Sequence, residues 1–136
     1  MTNSLYIIAE AAQGYEGSVA VSKLLVRSAK MAGADAIKFQ VVYAADLAEE
    51  GYQHYSLFKS LEMPLEAWRE VRDFARENAI DFIIDIFGDI SYELAQTIKA
   101  DGVKIHSTSF FDDTLIEKAT SLPAHTYFSV GGIDIR

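Results

Sequence analysis

Ala32-Gly33-Ala34-Asp35-Ala36-Ile37-Lys38-Phe39-Gln40-Val41-Val42 is the stretch on which the fold turns. Its second part, Ala36 to Val42, is a short apolar run bounded by turn residues, and it reads as a strand interrupted by one lysine and one glutamine. Just before it, Ser18 to Ala32 carries Val21, Leu24, Leu25, Ser28, Ala29 and Ala32 at helical spacing. Gly33 suits the C′ position of that helix, and Lys30 lies in its last turn, where the helix dipole favours a cation. A helix delivered straight into a strand is the unit of an alternating α/β chain.

The same alternation continues in both directions. Leu5 to Ala9 reads as a first strand. Downstream, Tyr43 to about Leu61 is polar and tyrosine-bearing without clear periodicity, and connections of that length are often functional. Pro64 suits the first turn of a helix running to about Asn78, with Leu65, Trp68, Val71, Phe74 and Ala75 as its apolar stripe. Ile80 to Phe87 reads as a third strand, and a helix from about Ile90 to Ala100 follows with Asp89 as its N-cap. Val103 to His106 is a fourth strand, Asp112 or Asp113 caps a helix through Ser121, and Thr126 to Val130 is a fifth strand. The order βαβαβαβαβ predicts a parallel sheet with crossover helices.

Two architectures have that order, an open doubly wound sheet and a barrel. The first turn, Glu10-Ala11-Ala12-Gln13-Gly14-Tyr15-Glu16-Gly17, has neither the G-x-G-x-x-G dinucleotide fingerprint nor a P-loop. Polar residues end every strand, which is where a barrel builds its site. The fold expected is therefore α/β, a partial (β/α)8 TIM barrel of about five parallel strands with intervening helices. Five strands do not close an eight-stranded barrel, and the outer two would remain bare edges. Residues 1–136 are thus expected to be the N-terminal part of a longer barrel chain, or a unit that needs a partner.

Composition narrows the functions. The 136 residues carry a net charge of −8, which argues against a phosphate backbone as partner. There is no cysteine, so disulfides and thiolate metal sites are excluded. The first residues, Met1-Thr2-Asn3-Ser4, show no basic run followed by a long apolar stretch, and no run approaches the roughly 20 apolar residues of a membrane helix. A cytoplasmic protein without membrane contact is expected.

The residues at the strand ends carry the chemistry. Glu10 follows the first strand. Lys38 and Gln40 lie two apart in the second and so share a face. Asp85 ends the third strand, Lys104 lies in the fourth with Ser107, Thr108 and Ser109 just beyond, and Ser129 ends the fifth. Two ammonium groups with hydroxyls and loop N–H groups would suit a carboxylate or phosphate. Glu10 and Asp85 would orient the lysines, bind substrate hydroxyls or move protons. The plainer alternative is a pair of buried ion pairs, Lys38–Glu10 and Lys104–Asp85, that only satisfy a barrel core. His54, His106 and His125 are scattered, with no metal-ligand spacing. Tyr43, Tyr52 and Tyr55 suit packing better than ligand cover.

The sequence resembles the N-terminal half of the sialic acid synthase family, the phosphoenolpyruvate-dependent synthases of N-acetylneuraminic, legionaminic and pseudaminic acids. The segments that carry the resemblance are Ile7 to Glu10 with Glu16-Gly17-Ser18, then Ala32 to Gln40, Phe82 to Phe87, Val103 to Ile105 with Ser107, and Phe128-Ser129 with Gly131. The resemblance implies condensation of phosphoenolpyruvate with an N-acylated hexosamine, releasing phosphate. It implies Lys38, Lys104, Ser107 and Ser129 as phosphoenolpyruvate contacts, with Glu10 and Gln40 toward the sugar and the reacting centre. It also implies a divalent metal, Mn or Mg, whose histidine ligands lie beyond this segment, and a homodimer. Three segments depart from the family pattern. Gly14-Tyr15 stands for the usual Asn-His, Ile84-Asp85-Ile86-Phe87 for Ser-Thr-Pro-Phe, and Ser129-Val130-Gly131-Gly132 for Ser-Thr-Gly-Met. A carboxylate at Asp85 would repel phosphate unless protonated or paired with a lysine. Two other readings stand beside the synthase. One is a barrel lyase or aldolase using Lys38 or Lys104 as a Schiff-base amine, the other a non-catalytic half-barrel assembly module.

Overall fold

Strand order separates the two architectures. The computed structural model describes residues 5–132 and 134. Its strands are β1 (Ile8–Ala12), β2 (Ala36–Gln40), β3 (Asp81–Ile86), β4 (Gly102–Ile105) and β5 (His125–Phe128). They pair in chain order, β1-β2-β3-β4-β5, and every pairing is parallel. A doubly wound sheet reverses its strand order at a switch point. Here no reversal occurs, so the sheet is the wall of a barrel, as the alternation predicts.

Helices α1 (Val19–Met31), α4 (Leu65–Glu77), α5 (Asp89–Ile98) and α6 (Asp113–Thr120) form the crossovers. Two further short helices, α2 (Ala44–Leu47) and α3 (Tyr55–Leu61), lie in the long β2–α4 connection. Alternate strand residues Ile37, Phe39, Phe82, Ile84, Ile86, Val103 and Ile105, with Val41 just past β2, join helix residues such as Val26, Trp68, Val71 and Leu94 in one buried apolar cluster. Trp68, Phe39 and Tyr15 meet edge to face inside it, with centroids 4.8 to 6.1 Å apart. The opposite face carries the other parity: Lys38, Gln40, Ile83, Asp85, Gly102 and Lys104.

The first strand lies three residues later than its apolar run suggests. Leu5, Tyr6 and Ile7 are exposed, and the strand proper is Ile-Ala-Glu-Ala-Ala. Small alanines with a glutamate read as a turn, yet they fit beside β2 because Glu10 finds a cation there. Glu10 therefore lies within the strand, not after it.

Other differences are local. Helix α1 buries Ser22, Val26 and Ala29, while Leu24 is 60% exposed, so its inward face is rotated from the predicted stripe. Ser22 is tolerated inside because its hydroxyl donates to the Ser18 carbonyl at 2.8 Å. Ser18 caps the helix, and Gly33 follows it at φ +83, as its C′ position requires. Pro64 is the N-cap of α4 and not its first turn. Strand five ends at Phe128, so Ser129 follows it.

Candidate functional site

Register places the charged residues side by side. Lys38 lies opposite Glu10, and Asp85 lies opposite both Gln40 on β2 and Lys104 on β4. Lys38 Nζ is 2.5 Å from Glu10 Oε2 and 2.9 Å from Asp85 Oδ2. Lys104 Nζ lies 3.0 Å from Asp85 Oδ1 and 3.1 Å from Oδ2. Four strands thus share one continuous network, Glu10–Lys38–Asp85–Lys104. The two expected pairs are both present, and Asp85 links them into a single unit.

Burial is graded along this network. The side chain of Asp85 is 0% exposed and that of Lys38 7%, whereas Lys104 is 21% and Glu10 50% exposed. Burying a lone carboxylate so completely would be prohibitive. Asp85 is accommodated because two cations and charge-assisted hydrogen bonds surround it. Glu10 also accepts from the Ala12 N–H at 2.9 Å, across the irregularity where β1 leaves its register with β2. Its position is therefore fixed by the strand and the lysine together.

The remaining expected residues lie near this line but outside its ion pairs. Gln40 is the last residue of β2 and half-buried. Ser107 opens the 3-10 turn after β4, and Ser129 follows β5, where its N–H donates to the Ile105 carbonyl. Both serines are half-buried. His106 turns back on its own segment, its Nδ1 3.0 Å from Thr108 Oγ1, and its ring lies against Phe87. Among the described residues, no three of His, Cys, Asp and Glu converge to hold a metal ion. The acidic groups of the network are taken up by ammonium groups, so these residues do not by themselves fit a divalent metal.

Tyr15, at one of the departures, is a core residue. It is fully buried, and its hydroxyl accepts the Val42 N–H at 3.2 Å. Burial pushes its phenol up to about 12. Tyr43 is likewise pushed up to about 12, first by burial and then by Glu62 and Asp46, and its hydroxyl donates to the Met63 carbonyl.

One rim element has almost no signal in the sequence. Asp46, in α2, reaches the start of α5 and accepts from the Ile90 N–H at 3.1 Å, the Ser91 N–H at 2.8 Å and the Ser91 hydroxyl at 2.7 Å. It performs the capping role expected of Asp89, from 44 residues away. Gly88 makes room for it: a Cβ there would lie 2.7 Å from Asp46 Oδ1. The connection that lacks periodicity is in this way fastened to the turn that follows Asp85. A contact between two segments so far apart leaves no periodic trace, and only the Gly-Asp pair at 88–89 hints at a tight turn.

A five-stranded parallel wall with a polar network at the strand ends is part of a TIM-type barrel with a candidate site on its rim. Sequence comparison sharpens the class. The NeuB family profile matches residues 25–136, and the chain belongs to that family. It is 34% identical over 131 residues to the uncharacterized protein MJ1065 of Methanocaldococcus jannaschii, covering 96% of this chain and 39% of that protein. It is 27% identical over 145 residues to the N,N'-diacetyllegionaminic acid synthase of Legionella pneumophila, covering 96% of this chain and 41% of that enzyme. The crystal structure of the N-acetylneuraminic acid synthetase from Leptospira borgpetersenii superposes with a TM-score of 0.89 at 24% identity, over 98% of this chain and 47% of that one, and shares the fold. The chain spans about two fifths of the length of the curated relatives it matches.

Proposed function

We propose that this chain forms the N-terminal part of the barrel of a sialic acid synthase-type enzyme. The enzyme would condense phosphoenolpyruvate with the open-chain aldehyde of an N-acylated hexosamine. The observation that carries the reading is the Glu10–Lys38–Asp85–Lys104 network at the strand ends of a NeuB-family barrel. The names of the Legionella and Leptospira proteins point to the same class of product.

In the proposed reaction the methylene carbon of phosphoenolpyruvate attacks the aldehyde carbon, forming the new C–C bond, and the aldehyde oxygen takes up a proton to become a hydroxyl. Water adds to the carbon that bears the phosphate ester, losing a proton, and that carbon expels inorganic phosphate to become the ketone of a keto-sugar acid. Lys104 supplies positive charge to the anionic substrate, with Lys38 behind it as the buried cation of the network, and Ser107 and Ser129 offer hydroxyls from neighbouring strand ends. Glu10 is the more exposed carboxylate and faces the second substrate with Gln40, where a fixed carboxylate can accept a proton from the attacking water. A divalent metal, if used, would polarise the aldehyde and take its ligands from outside these residues. The active form is proposed to be a homodimer.

An imine at Lys38 would have to break contacts to both Glu10 and Asp85, so the network argues against Lys38 as a Schiff-base amine. The full-length protein, given phosphoenolpyruvate, Mn or Mg and a panel of N-acylated hexosamines, is expected to release phosphate only when both substrates are present. No release above background across the panel rejects the synthase activity.

A further inference from the structure

The network is electrically self-contained. Glu10 and Asp85 contribute two negative charges, and Lys38 and Lys104 two positive ones. Both ammonium groups meet a carboxylate of this chain before any ligand arrives. Lys38 is enclosed between two of them, and little of its surface reaches solvent. Among the described residues Lys104 pairs with Asp85 alone, and it is the more accessible cation. The face offered to a ligand therefore runs from an exposed carboxylate on β1 to a partly exposed ammonium on β4, with a buried ion pair beneath.

We propose that Asp85 is the specificity-determining residue of the anion site, a built-in anion that competes with phosphate for Lys104 and confines Lys38 to the role of internal counter-ion. A ligand phosphate contacting Lys104 comes within a few ångströms of the Asp85 carboxylate, because both oxygens of that carboxylate already contact the same Nζ. Like charges at that separation repel, and the low-dielectric surroundings of a fully buried carboxylate strengthen the effect. The repulsion scales with ligand charge, so a phosphate dianion is disfavoured more than a carboxylate monoanion. Asp85 thus sets a weak, charge-selective grip on the phosphorylated substrate. This deepens the synthase reading and rests on it for the identity of that substrate.

The test is anion binding by full-length protein carrying Asp85→Asn, which keeps the shape and the hydrogen-bonding oxygen but removes the charge. The probes are inorganic phosphate and acetate, titrated calorimetrically near neutral pH. Phosphate is expected to bind at least about tenfold tighter than to the parent protein, a gain of about 1.4 kcal/mol, with a smaller gain for acetate. Unchanged or weaker phosphate binding overturns the proposal, since Asp85 would then serve to hold the lysines in place for the ligand. Equal gains for both anions overturn the charge-selective part, and no phosphate binding by either form overturns the whole. Asp85→Ser serves as the second variant, and failure of both to fold identifies Asp85 as an indispensable structural counter-ion and also overturns it. If phosphate binding tightens as expected but neither form turns over phosphoenolpyruvate with any hexosamine, the synthase reading falls and the role of Asp85 stands. Turnover without tighter phosphate binding has the opposite meaning.

Discussion

Replacing Asp46 by alanine should loosen the rim of the barrel beside Asp85. The carboxylate accepts three hydrogen bonds, two from backbone N–H groups at the start of α5 and one from the Ser91 hydroxyl. Loss of a capping side chain costs about 0.5–2 kcal/mol. Leaving further buried donors without their charged partner adds about 1–3 kcal/mol. Ser91 is fully buried, so solvent does not readily replace the lost acceptor, although its hydroxyl keeps contacts with Phe87 N–H and Gly88. A local loss of about 2–4 kcal/mol follows, equal to roughly 30- to 1000-fold faster exchange of amides that open locally. Hydrogen exchange of the peptide spanning residues 87–94 in the full-length protein reads this directly. Gly88→Ala supplies the second arm of a cycle, because its Cβ would meet Asp46 Oδ1 at 2.7 Å and Asp46 Cβ at 3.1 Å. Gly88 has an extended backbone, so the cost of alanine there is steric, about 1–3 kcal/mol, and should shrink in the Asp46→Ala background. Exchange in Asp46→Ala within threefold of the parent, or strictly additive effects of the two substitutions, would refute the reasoning.

Three further outcomes follow from the same geometry. Trp68→Ala removes a fully buried ring packed against Tyr15, Phe39 and Phe82, and a loss of about 3–5 kcal/mol is expected as a depressed thermal midpoint. Lys38→Met leaves fully buried Asp85 with Lys104 as its one remaining cation, a cost of about 3–5 kcal/mol that Lys38→Met/Asp85→Asn should partly recover; equal destabilisation of the single and double variants would speak against the network. Tyr15 and Tyr43 are held near 12 against an ordinary value of 10, so the folded state keeps these protons where the unfolded state has lost them. Their contribution is intact below pH 10 and is lost as pH rises through 12. Tyr15→Phe should therefore flatten the fall in stability between about pH 10 and 12, measured by denaturant titration against the parent protein.

The barrel wall is legible because each helix and strand repeats its own period, and because polar residues recur at the strand ends. Lys38, Lys104, Glu10 and Asp85 stand out for the same reason, since a charge inside an apolar strand needs a partner. What the sequence conceals is anything set by contact between distant segments. The central role of Asp85 is one example, because neither strand shows that two lysines from opposite sides meet one carboxylate. The Asp46 cap of α5 is another, with its ligand and its helix 44 residues apart. The displaced first strand has a different origin: the most apolar residues, Leu5 to Ile7, lie exposed, while alanines and a glutamate form the strand. Tyr15 looks like a rim residue by position, but burial against Trp68 makes it part of the core.

The central claim is that an anionic, phosphorylated substrate is held at the rim through Lys104. Calorimetric titration of phosphoenolpyruvate into the full-length protein and its Lys104→Met variant tests it most directly. A loss of at least about tenfold in affinity, measured at a temperature where both proteins are fully folded, is the predicted result. Equal affinity in the two proteins would contradict the claim and return the lysines to a purely structural role.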